Sequence, residues 1–184
     1  MALVVALILL VVITLIGLAA VGGTIMQNKM AANQYDRQIA FQSSEAALRK
    51  GEAAILAATA TQPAPAGFED CSVPAGGTSM APPANYCLAN PFEDSGVASS
   101  QIVTVDNSDF NPGAVAAAYP QYIIQYLGKF ASPDVAVHQI GGQSQYGAPP
   151  DTKLADYYRI TARSGDPANV GDRAVVMLQE TFRN

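Results

Sequence analysis

The sequence predicts an α+β fold in which one long N-terminal helix lays its outer half against an antiparallel β-sheet. Three observations lead there. No Asp, Glu, Lys or Arg precedes Lys29, so the chain opens on an uninterrupted apolar segment. No proline occurs before Pro63, so nothing stops a helix that begins near residue 2. Segments rich in β-branched and aromatic residues are concentrated near the C-terminus, as YIIQYLGKF, YYRITA and RAVVMLQETF.

The first element is Met1 to Ala20, MALVVALILLVVITLIGLAA, in which the Thr14 hydroxyl is the only polar side-chain group. About 20 such residues suffice for a helix to cross a hydrocarbon core of roughly 30 Å. Residues 1–23 therefore read as a membrane-spanning part of the helix, with lipid as its surroundings. A cleavable secretory signal would carry a positive stretch ahead of the apolar run and a small-residue cleavage site after it. Here the chain starts on the apolar run itself. The expectation is a basic leader removed ahead of Met1 and an apolar segment retained, against the competing readings of a signal remnant or an isolated buried helix.

Residues 24–60 are rich in Ala, Gln, Glu, Arg, Lys and Leu, which continues the helix beyond any membrane. At 1.5 Å per residue the whole rod would be about 85 Å long, more than one bilayer or one small domain requires. In this amphipathic outer half Phe41, Leu48 and Ile55 recur every seven residues, with Ala47 and Ala54 beside them. They are the candidates for packing the helix on the head. Glu45 and Arg49 are spaced to pair along the helix, a contact worth only about a few tenths of a kcal/mol. Gly17, Gly22 and Gly23, with Ala19 and Ala20, either let neighbouring helices approach closely or mark a point where the helix loosens.

The head, residues 61–184, has room for one compact unit. From Gln62 to Ser100 it is dense in Pro, Gly, Ser and Ala, the composition of an irregular connection. Cys71 and Cys87 fall there and would oxidise to a disulfide if the head lies outside the cytoplasm. The alternative is two free buried thiols. A short strand is expected at 101–105, a longer one within 119–130, and a hairpin from 157–162 and 173–182 around Gly165, Asp166, Pro167 and Gly171.

Composition narrows the function classes. The net charge is −5 with ten basic residues in all, which disfavours a nucleic-acid surface. There is no glycine-rich nucleotide motif, no paired-histidine metal motif and no CxxC. The single histidine, His138, cannot build a multi-histidine metal cage and has no nameable triad partners, so it reads as a surface or structural residue. Asp106, Asp109 and Asn111 offer oxygen donors for calcium, but they lack EF-hand spacing and a bidentate Glu, and an Asx-rich turn accounts for them. Tyr119, Tyr122, Tyr126, Tyr157 and Tyr158 either fill the core or form a partner-facing cluster. No enzyme, cofactor or metal site is expected.

The apolar opening followed by NKMAANQYDRQIAFQSSEAALRKGE resembles the N-terminal region of PilX-type minor pilins of bacterial type IV pili, and the ending YYRITARSGD…RAVVMLQETF is similar to their C-terminal hairpin. The resemblance implies a lollipop-shaped pilin fold and a prepilin cut ahead of Met1, with methylation of the new amine. It also implies a monomer in the inner membrane with its head in the periplasm, and then a place in an extracellular pilus. Its partners would be other minor pilins, the major pilin and the inner-membrane assembly machinery, in a fimbrium that serves twitching motility and cell adhesion. Major pilins of this superfamily usually carry Glu at the fifth mature position, thought to pair with a neighbour's N-terminal amine. This chain has Val5, as the tip-type pseudopilin of type II secretion lacks that Glu, and a subunit with nothing above it has no amine to pair. The expected function is a structural minor pilin that primes or caps assembly at or near the tip. A tip-displayed adhesin is the alternative, recognisable by a concave or aromatic-rich surface within 62–156.

Overall fold

The computed structural model describes residues 1–58, 67–72, 87–111, 113, 115–131 and 154–184, with the side chains at 19–22 and 131 excepted. Helix α1 runs without a break over Ala2–Ala58. The apolar first half and the Ala-, Gln- and Glu-rich second half both favour helix, and each turn satisfies its own backbone groups whatever surrounds it.

Five strands follow: β1 Glu69–Asp70, β2 Val103–Thr104, β3 Gln121–Ala131, β4 Leu154–Arg163 and β5 Met177–Arg183. β3 and β4 are antiparallel from Gln121 opposite Arg163 to Ala131 opposite Leu154. The register shifts between Tyr126 and Gly128, and Gly128 takes φ 109°, a conformation that side-chain-bearing residues rarely adopt. β4 and β5 form the C-terminal antiparallel hairpin. On the other edge of β3, β2 pairs antiparallel at Val103 opposite Tyr122, and β1 pairs parallel at Glu69 opposite Gln125.

The sheet is therefore mixed, which corrects the expectation of an antiparallel one. The parallel strand is two residues long, and neither Glu69 nor Asp70 favours strand, so composition does not announce it. The Cys71 amide extends the pairing by donating to the Tyr126 carbonyl at 2.8 Å. Two strand limits also move. Residues 99–101 form a 3₁₀ turn, leaving only Val103–Thr104 as strand. β5 begins at Met177 and not at residue 173, because Arg173 and Ala174 are bound to the helix instead of to β4.

The helix lies against β3, β4 and β5 through Ala40, Ser44, Ala47, Gly51 and Ile55, all buried and spaced four, three, four and four apart on one face. From the sheet come Tyr122, Ile124, Tyr126, Tyr158, Ile160 and Ala162, the alternate residues of β3 and β4. Phe68 meets Tyr158 edge-on at 6.1 Å between ring centroids, and Tyr126 meets it at 5.3 Å. The helix positions are small because the two backbones are close. A Cβ on Gly51 would stand 2.7 Å from Cγ2 of Ile160.

Gly51→Ala is accordingly expected to destabilise the head by about 1–3 kcal/mol through overpacking, read as a lower Tm of the purified chain. Gly17 has no atom within 4 Å of a built Cβ, and Gly17→Ala should leave that Tm unchanged.

Candidate assembly interface

Every residue from Met1 to Leu18 is exposed in the single chain. Soluble proteins rarely leave contiguous apolar surface beyond a few hundred Å² in water. This half of α1 therefore requires lipid tails or other apolar helices around it. Among the described residues, α1 is the one helix long and apolar enough to cross a membrane. Val5 lies on this surface, and no described atom crowds Gly17 or Gly23. Gly22 lies in the same unbroken helix.

The head takes hold of the helix at Asp36. Its carboxylate accepts from the Arg173 guanidinium and from the Ala174 amide at 2.8 Å, while Arg173 Nη2 donates to the Val115 carbonyl at 2.7 Å. Hydrogen bonding from Arg173, then from Ala174, holds the Asp36 carboxyl below its ordinary value of 3.8. Two turns on, the buried Ser44 hydroxyl lies 2.8 Å from the Val176 carbonyl and 3.1 Å from that of Ala40. Lys50 pairs with Asp109 and ties the helix to the loop before β3.

The opposite face of the sheet is covered by the segment that follows the disulfide. Cys71 and Cys87 are joined, with 5.3 Å between their Cα atoms, and the chain from residue 87 crosses the sheet as a strap. The Leu88 carbonyl accepts from Arg159 Nη2 at 2.8 Å and from Gln125 Nε2 at 3.4 Å, and the Ala89 carbonyl accepts from Gln179 Nε2 at 2.8 Å. Gln125 is fully buried and satisfied, accepting from Arg159 Nε at 2.6 Å and donating to Glu69 Oε2 at 2.6 Å. Burial pushes the Glu69 carboxyl up and the Arg159 guanidinium down, each partly offset by attraction between them or by hydrogen bonding. The Arg163 guanidinium lies 4.2 Å from the Phe92 ring centre and fastens the strap further along.

Of the residues expected to seat the helix, Ile55 is buried and Leu48 half-buried, but Phe41 is 44% exposed and stands outside the core formed by the described residues. The reason is geometric. A seven-residue repeat drifts by about 20° per step on a straight α-helix, so each step back from Ile55 leaves the buried face further behind. The oxygen donors weighed for calcium are engaged in turns and an ion pair. Asp106 Oδ1 accepts from the Ser108 amide at 2.9 Å, Asn111 Oδ1 accepts from the Gly113 amide at 2.9 Å, and Asp109 holds Lys50. Tyr122, Tyr126 and Tyr158 enter the core, Tyr157 meets Phe130 edge-on at 5.4 Å, and Tyr119 is exposed. His138, Pro63 and Pro65 lie outside the described residues. Sequence reasoning missed Asp36, Ser44 and Gly51, since a lone polar or glycine position on a helix looks the same whether it faces water or a sheet.

A stalk helix with an exposed apolar half, its outer half clasped by a mixed sheet, defines the pilin-like class. The family model described as PilX N-terminal matches residues 1–49, and that described as Type IV pilus assembly protein PilX C-term matches residues 62–184. The chain belongs to this family and is a PilX-type minor pilin. No curated protein and no solved structure gives a significant match.

Asp36 contributes stability above its unfolded-state value, and that contribution is lost as pH falls through the lower folded value. Hydrogen exchange at the Ala174 amide should therefore accelerate below about pH 4, and Asp36→Asn should show the acceleration already at neutral pH. For the strap, the paired substitution Cys71→Ser with Cys87→Ser should cost about 3 kcal/mol. Exchange should rise first at residues 87–101, before the β4–β5 hairpin.

Proposed function

We propose that this minor pilin primes or caps type IV pilus assembly at or near the filament tip. The supporting observation is the join of an apolar, unpartnered half-helix, carrying Val5, to a head fastened rigidly on the other half of the same rod. Before assembly the apolar half resides in the inner membrane and the head in the periplasm, giving the lollipop shape of a pilin monomer. On incorporation, lipid contacts give way to contacts with the helices of other minor pilins and of the major pilin. Helix association in lipid depends on close packing, which favours the neighbourhood of Gly17, Gly22 and Gly23. The processed amine of Met1 is the methylated terminus.

Val5 supports the tip position. A carboxylate at residue 5 would be costly in hydrocarbon unless it met a cation, such as the terminal amine of the subunit above. A subunit with no neighbour above gains nothing from that charge, and valine avoids the cost. The head chooses the neighbours and the assembly machinery delivers the subunit.

The test is Val5→Glu in the full chain. The helix places residue 5 far from the sheet, so the folded head and its Tm should not change. Incorporation beneath other pilins should increase, seen as labelling spread along sheared filaments with the major pilin as control. An unchanged distribution at normal membrane level and processing would separate Val5 from placement and leave the head contacts as the determinant.

A further inference from the structure

The helix and the last strand of the sheet meet through two acids. Glu180 sits on β5 between Leu178 and Phe182, among the alternate residues turned toward the helix, opposite Ile160, which packs on Gly51. Lys50, on one flank of Gly51, reaches Asp109 before β3, so Glu52, on the other flank, stands over β5 beside Glu180. Glu180 Oε1 is buried and has no hydrogen-bond partner among the described residues. An inward-pointing charge on a terminal strand is a known guard against edge-to-edge pairing, but here it meets a second carboxyl group.

The ion pairs among the described residues, Lys50–Asp109, Lys129–Asp156, Arg163–Asp166 and Arg173–Asp36, involve neither acid. On α1 the charged neighbours of Glu52 are Lys50, already paired with Asp109, then the exposed Arg49 and, further back, Glu45. From β4 come Tyr158 and Asp156, the latter already engaged by the Tyr126 hydroxyl at 2.7 Å and by Lys129 at 3.5 Å. β3 contributes Tyr122 and Tyr126, and β5 itself carries Arg183 at its end, on the alternate set turned away from the helix. Two carboxyl groups in contact cannot both ionise without strong repulsion, whereas one shared proton turns the contact into a hydrogen bond.

We propose that Glu52 and Glu180 form a proton-requiring latch between the stalk helix and the terminal strand, closed in mild acid and loosened as the shared proton leaves to solvent. Burial first, and contact with Glu52 second, push the Glu180 carboxyl above its ordinary value of 4.5. A group raised in this way adds stability that is complete below the unfolded value and is lost as pH rises through the folded one. The direction is opposite to that of Asp36, so the two ends of the helix–head contact respond to pH in opposite senses.

The experiment measures hydrogen exchange of the full chain in detergent micelles at the Leu178, Glu180 and Phe182 amides. These point toward β4, given the paired bonds between Asp156 and Asn184 at the same alternation. After correction for intrinsic exchange, opening of β5 should rise roughly threefold or more from about pH 5 to about pH 8. In Glu180→Gln and in Glu52→Gln it should be the same at both values. Should one variant fail to fold, the other reads the same coupling. A flat response in the parent chain, or a slope that survives in either variant, overturns the latch.

Discussion

A single continuous helix has to be solvated in two different ways along its length, and the rest of the molecule follows from that requirement. Its first half presents apolar side chains on every side and needs apolar surroundings. Its second half presents one narrow buried face, and a sheet must be brought onto that face closely enough to remove it from water. The transition is made by charge. Lys29 is the first ionisable side chain, and Asp36 is the first that the head binds.

Close approach sets the character of the junction. Ala40, Ser44, Ala47 and Gly51 are too small to contribute much apolar area themselves, so the larger Ile55, Tyr158 and Ile160 supply the burial. What small residues give is proximity, and proximity makes the polar fastenings possible: Ser44 to the Val176 carbonyl, Asp36 to Arg173 and Ala174, and Lys50 to Asp109. None of the exposed pairs is worth much alone. Set along three turns and more of one helix, they fix the register of the rod against the sheet.

The other face of the sheet is held by a different chemistry. There the side chains of Gln125, Arg159 and Gln179 reach up from three adjacent strands to carbonyl groups of the strap. The disulfide ties the start of that strap to the residue following β1. A polar layer of this kind favours one arrangement over others, since a shifted strap would take the Leu88 carbonyl from Arg159 and Gln125 and the Ala89 carbonyl from Gln179. The two faces thus divide the work, apolar packing toward the helix and directional hydrogen bonds toward the strap.

Periodicity and composition were enough for the helix, its apolar half, β3 and the terminal hairpin, because each rests on local propensity repeated over many residues. The paired cysteines were legible for the same kind of reason, as two thiols enclosing a loop. The N-terminal and C-terminal motifs carried the family. Other features were set by contacts distant in sequence. Two residues of acidic character became a parallel strand because the sheet edge was there to receive them, and Phe41 turned outward because the rod drifts away from a heptad line. Asp36, Ser44, Gly51 and the Glu52–Glu180 contact acquire meaning only when residues more than a hundred positions apart are brought together. No local pattern encodes which polar side chain faces water and which faces a sheet; that choice belongs to the tertiary structure.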